Sequence, residues 1–186
     1  MKALYILLVL FLYSGTNVLH AQTGEYNMPD RPLHGIKAGL VGAWYTFETK
    51  FARQTTLNIE AGLGVDFGQG SMIFIDGDLW YVLVPTLKVE PRWYYNLFKR
   101  FRKEKNISNY SANYLALSIQ GNTEPVFSNL GASGTPALRI IPKWGLRRSL
   151  GDNFIFETAV GLGVYIADMH VAAPALGLDV KFGYIF

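Results

Sequence analysis

The sequence predicts an all-β fold, a closed antiparallel up-and-down transmembrane β-barrel of about eight strands. Three observations predict it. Apolar residues recur at every second position through most of the chain, the period of a strand with one greasy and one polar face. Half of the residues are hydrophobic and 15% are aromatic, yet after Tyr13 no window of about 18 residues is free of charge and polar breaks, so no stretch reads as a spanning helix. The positions opposite the apolar ones carry both signs of charge and many glycines, which suits a narrow lumen. In lipid every backbone N–H and C=O needs a partner within the protein, and a closed barrel is the strand solution.

Residues 1–21 read as a secretory signal peptide: Lys2 gives a positive start, 3–13 an apolar core, and Ala21 precedes a cut before Gln22. That core falls short of the roughly 20 residues a spanning helix needs. Residues 22–34, with Pro29, Asp30, Arg31 and Pro32, read as an N-terminal leader in loop conformation, and 35–186 as the barrel. Residues 35–48 form the first strand. Its parity breaks after Val41, and a bulge near Gly42 accounts for the break. Residues 54–68 are the cleanest strand, with Leu57, Ile59, Leu63, Val65 and Phe67 opposite Asn58, Glu60, Gly62, Gly64 and Asp66. Residues 80–96 follow, with Pro85 and Pro91 on the apolar parity. Further strands lie at 112–121, 137–148, 154–167 and 176–186.

That makes seven strands by signature. Bacterial barrels of a single chain have an even number, with eight the smallest, so a further strand is expected in 22–34 or 122–136; the alternative is an odd count with the two end strands paired in parallel. The turns at 49–53, 97–111 and 150–153 then share one end, periplasmic if the C-terminus is. The loops at 69–79, 122–136 and 168–174 share the other. The run Lys99-Arg100-Phe101-Arg102-Lys103-Glu104-Lys105 lies at the first end and reads as a solvated turn ahead of the alternative, a specific anion or peptidoglycan contact.

The residues opposite the apolar faces are the candidate site: Glu60, Asp66, Lys88, Glu90, Arg92, Arg139, Lys143, Arg147, Glu157, Asp179 and Lys181, with Lys37 on the same parity. Opposite charges inside a cylinder satisfy one another away from bulk water. For Asp179 and Lys181 the sequence offers Glu157, Arg147 and Lys37 as partners. Trp93, Tyr95, Trp144, Tyr184 and Phe186 fall near one set of turns, as a membrane-interface girdle does. A soluble barrel would show the same alternation with its faces reversed. The signal peptide, the aromatic final residue and the aromatics at strand ends favour the membrane.

Several chemistries are weakly encoded. The chain has no cysteine, so disulfides and thiolate metal sites are excluded. Without residues 1–21, sixteen Lys and Arg stand against fourteen Asp and Glu, a balance that does not argue for nucleic acid. His34 and His170 have no ligand-spaced companion, so no metal or other cofactor is expected. Gly62-Leu-Gly64 and Gly161-Leu-Gly163 lack the helix of a dinucleotide site and read as thin places in a barrel wall. Asn106-Ile107-Ser108 matches a glycosylation acceptor by chance. His170 with Ser71, Ser128 or Ser133 would be the material of a lipid hydrolase, and Glu60, Glu90 and Glu157 of an acid–base set. Their interleaving with Lys88, Arg92 and Arg147 reads more simply as a charge-paired plug.

The stretch Val89-Glu-Pro-Arg-Trp-Tyr-Tyr-Asn-Leu97 and the closing Phe-Gly-Tyr-Ile-Phe186 resemble the small outer-membrane β-barrel proteins of Gram-negative bacteria, the OmpA/OmpX-like and porin-like class. Ala21-Gln22 is similar to the signal-peptide ends of such barrels in Bacteroidota. The resemblance implies a place in the outer membrane, outer-membrane lipid as surroundings, and insertion by the barrel assembly machinery with the last strand as its signal. It does not imply one activity. The expectation is a non-enzymatic barrel with a structural or interaction role. A narrow porin-like channel and a lipid-modifying enzyme are the alternatives, and the oligomeric state is left open.

Overall fold

The computed structural model describes residues 31–40, 42–65, 73–75, 78–80, 82–128, 136–167 and 171–186. The signal-peptide reading of 1–21 and most of the leader lie outside them. The elements in chain order are β1 (Leu33–Gly39), β2 (Gly42–Ala52), β3 (Thr55–Val65), β4 (Ile73–Ile75), β5 (Asp78–Trp80) and β6 (Val82–Trp93). A one-turn helix (Leu97–Phe101) and a 3-10 turn (Ser108–Tyr110) precede β7 (Asn113–Asn122), β8 (Phe127–Ser128), β9 (Ala137–Leu150), β10 (Phe154–Ala167) and β11 (Val171–Ile185).

Eight strands close into a barrel. Each long strand pairs antiparallel with the next, β3 joins β6, β7 joins β9, and β11 returns to β1. The closing pair matches Gly35 with Ile185 and Gly39 with Lys181. The short strands β4 and β5 pair with each other, and β8 extends the edge of β6. Closure removes the unpaired edges that an open sheet would leave.

Among the described residues, the eighth strand of the barrel comes from elsewhere than the two segments expected to supply it. It lies inside the predicted first strand, which is a hairpin: Gly39 pairs with Gly42, Lys37 with Trp44 and Leu33 with Glu48. There is no bulge at Gly42; the parity breaks because the chain reverses. Trp44 and Glu48 therefore point inward with Lys37, and Tyr45 points outward at 46% exposed. Two further bounds move. β1 starts at Leu33 within the predicted leader, and β11 starts at Val171 within the predicted loop 168–174. Pro174 falls inside β11, opposite Val164.

Elsewhere period-2 patterning sets the wall. On β10 the outward Val160 and Leu162 are exposed, while the inward Ile155, Glu157 and Ala159 are buried. Pro85 and Pro91 sit on the outward parity of β6. The β6–β7 ladder lapses between Val89 and Arg92, where Pro91 has no N–H to give. Gly151 turns β9 into β10 at φ 78°, a left-handed conformation that favours glycine.

The end that holds Leu33 and Ile185 is floored by protein. After β6 the chain crosses the opening and buries Tyr94, Leu97, Tyr110 and Ala112 against Leu33, Ile155 and Ile185. Tyr94 stacks on Tyr110 at 5.5 Å and lies 5.4 Å from the Tyr114 ring. Asn109 Nδ2 donates to the Asp152 carbonyl, and Asn96 Oδ1 accepts from the Asn113 N–H, which pins the floor to the rim. The segment predicted as a simple basic turn at 97–111 thus carries a buried apolar underside.

Candidate functional site

The lumen above this floor is filled with charge. Period-2 alternation aims Lys37 from β1, Glu48 from β2, Glu60 from β3, Lys88, Glu90 and Arg92 from β6, Lys143 and Arg147 from β9, Glu157 from β10, and Asp179 and Lys181 from β11 into one space. All but Asp179 are buried, and the Asp179 side chain is 18% exposed. Among these described residues six are cations and five are carboxylates.

Glu60 is the hub. Its carboxylate meets Lys37 at 2.9 Å, Lys88 at 2.7 Å and Lys181 at 2.7 Å, and Asn58 donates to it at 3.1 Å. Three ammonium groups from three strands thus converge on one fully buried carboxylate. Nearer the floor, Glu157 takes Arg92, Arg147 and Lys37, the last at 2.6 Å. Arg147 continues to Glu48, which also accepts from Thr56 and, at 2.8 Å, from Tyr94. Burial holds the Tyr94 phenol well above its ordinary pKa, so it stays protonated and keeps donating. Arg92 binds Glu90 at 2.6 Å and lies over the Tyr114 ring at 4.6 Å. Toward the other end Lys143 meets Asp179 at 2.6 Å, and Lys181 lies 4.2 Å from the Trp44 ring, whose Nε1 donates to Thr86.

The network therefore contains Glu60, Lys88, Glu90, Arg92, Lys143, Arg147, Glu157, Asp179 and Lys181 of the residues named from sequence. Arg139 lies toward the far end, 5.5 Å from the Tyr165 ring. Asp66 lies outside the described residues. The partners offered for Asp179 and Lys181 are corrected. Asp179 takes Lys143, and Lys181 reaches across to Glu60, because partners are chosen across the lumen as well as along the wall. Sequence reasoning missed Glu48 through the parity reversal in the β1–β2 hairpin. The bracketing Gly39 and Gly42 are the signal that could have found it.

The buried charges compensate one another. Each buried charge has counter-charges within about 4 Å, which offsets the several kcal/mol that desolvation costs each ion. Small wall positions make the room: Gly145 faces the Tyr114 ring, where an added Cβ would stand 2.5 Å from a ring carbon. Among the described residues no group of His, Cys, Asp and Glu could hold a metal ion.

The outer wall is the reverse. Leu162, Leu176, Leu178 and Phe182 are 60% exposed or more. Of the aromatics named from sequence, all lie on this outer face, Trp93, Tyr95, Tyr184 and Phe186 toward the floor end and Trp144 halfway along β9, opposite Val160. Trp93 packs on Tyr95 at 6.1 Å, and Trp144 Nε1 donates to the Tyr95 hydroxyl at 2.9 Å. Tyr184 packs between Phe154 and Phe186 at 5.2 and 6.4 Å. No helix among the described residues is long and apolar enough to cross a membrane. Comparison with protein-family models, with curated proteins and with solved structures finds no match to this chain.

Proposed function

We propose that this protein is a non-enzymatic outer-membrane β-barrel whose charge-filled lumen is closed, with a structural or interaction role. The observation that supports it is the inversion of burial. Lys37, Glu60 and Arg147 are 1% exposed or less, while Leu162 outside is 72% exposed. A water-soluble barrel gains by the opposite arrangement, since burying one large aliphatic side chain is worth about 1.5–3 kcal/mol. A continuous apolar outer wall is larger than the patches soluble monomers expose, and hydrocarbon is the solvent that suits it. The aromatic groups around Tyr95 and Tyr184 then lie at headgroup depth. The reading also draws on the signal-like start of the chain and on the resemblance of 89–97 and 182–186 to outer-membrane barrels, whose assembly machinery would read β11.

The test is expression in a Gram-negative host followed by fractionation. The expected outcome is a protein in the outer-membrane fraction, resistant to carbonate extraction and running faster unboiled than boiled in a denaturing gel. Recovery in the soluble periplasmic fraction would overturn the reading.

A further inference from the structure

The loop that floors the barrel has a second, outward side. Between Tyr95 and Lys105 it forms an open, solvent-facing cavity of about 370 Å³, within the size range of small-molecule sites. Tyr95, Asn96, Lys99, Arg100, Lys103 and Lys105 line it. Four of the six are cations. Among the described residues, none of these four forms an ion pair with a carboxylate, whereas the lumen lysines are all paired. Arg148, at the end of β9, adds a further positive charge that is repelled by Arg100. The concentration of like charge is a standing cost that a bound anion would relieve.

Its position says which anion. Tyr95 is shared: one side lines the cavity, while its hydroxyl accepts from Trp144 and its ring packs on Trp93 in the outer aromatic group. The cavity thus opens at the rim where the apolar wall stops. A phosphate held there would carry its acyl chains down the wall beside Trp144 and Leu115, both exposed outward. We propose that this cavity binds the headgroup phosphate of an anionic phospholipid in the leaflet at the floor end. The inference rests on the membrane reading above.

The experiment uses the full chain folded into phosphatidylcholine bilayers that contain a trace of spin-labelled phosphatidylglycerol or spin-labelled phosphatidylcholine. The relative association of each label with the barrel is measured. The expected result is a preference for phosphatidylglycerol of at least ~10-fold at one site, from several cations acting together. The triple variant K99Q/K103Q/K105Q should lose it, and Arg53→Gln, at an exposed turn of the same end, should keep it. Both variants must still shift mobility on heating, which separates loss of the site from loss of the fold. Equal association of the two labels with a folded, embedded barrel overturns the site and leaves the membrane reading standing. Displacement of the labelled phosphatidylglycerol by millimolar inorganic phosphate overturns the lipid in favour of a free anion. Absence of any motion-restricted lipid, with either label, overturns the membrane reading as well.

Discussion

Arg147 of β9 reaches across the lumen to Glu48 of β2, its Nη2 2.5 Å from Glu48 Oε2, and the same nitrogen is 3.0 Å from Glu157. One guanidinium therefore links two carboxylates from strands that do not neighbour each other in the wall. Both carboxylates are buried, so removing the guanidinium leaves them short of positive charge. Arg147→Met should lower unfolding free energy by about 3–5 kcal/mol, the usual cost of orphaning a buried charge. Adding Glu48→Gln should restore part of it, because one orphan is then gone. Denaturant unfolding of the vesicle-folded protein measures both. Additive losses in the double variant would mean that the two residues are not coupled.

Gly145 lies opposite Tyr114 on neighbouring strands, and the ring occupies the space that a side chain at 145 would need. Tyr114 in turn packs on Tyr94 and under Arg92. Gly145→Ala should therefore displace the ring and cost about 1–3 kcal/mol, as overpacking does. Tyr114→Leu in the same background should recover stability, since the shorter side chain frees the space. A single G145A variant that unfolds at the wild-type denaturant concentration would count against this packing.

Most of the lumen was legible because a strand's side-chain period is two and a barrel has only two faces. Once Leu57, Ile59 and Leu63 are assigned outward, Asn58 and Glu60 have nowhere to go but inward. The rule depends on knowing where each strand turns. In the β1–β2 hairpin the link at 40–41 contains leucine and valine, with none of the asparagine or aspartate that usually marks a two-residue turn. Read as one strand, Lys37 and Trp44 fall on opposite faces. Folded back, they pair and share one. Pairing across the lumen was not legible at all. Glu60 and Lys181 are 121 residues apart and lie on strands separated by two others in the wall, so only closure brings them together. The floor escaped notice for a related reason: its apolar residues Leu97, Tyr110 and Ala112 are spaced irregularly through a basic segment and show no period.

The outer wall offers a depth test. Leu162 lies near the middle of β10, opposite Leu176, and is exposed outward; Leu150 ends β9 at the floor-end rim and is also exposed. In a bilayer, arginine on the lipid face costs about 2–4 kcal/mol at the midplane and about 0–1 near the interface. Leu162→Arg should therefore destabilise the vesicle-folded barrel several times more than Leu150→Arg. A water-facing wall predicts two small and similar effects, since exposed substitutions away from special features stay within about 0.5 kcal/mol. Equilibrium unfolding from vesicles distinguishes the two patterns.

The closed lumen makes a prediction about ion flow. Glu60 is held by three lysines, Glu157 by Arg92, Arg147 and Lys37, and beneath them Tyr94, Tyr110 and Leu97 seal the floor at 0% exposed. An ion passing through would have to displace these pairs and then cross the apolar floor, where nothing replaces its hydration shell. Wild-type protein in planar bilayers should give no conductance steps above background at neutral pH. Removing the floor alone should not open a path, because the charge network above it remains. Removing lumen side chains alone should not either, because the floor remains. Tyr94→Ala and Leu97→Ala combined with Lys88→Ala and Lys181→Ala thin both barriers, and that variant, if it still shows heat-modifiable mobility, should admit small ions. Steady single-channel steps from the wild-type barrel would overturn the plug and favour a narrow channel.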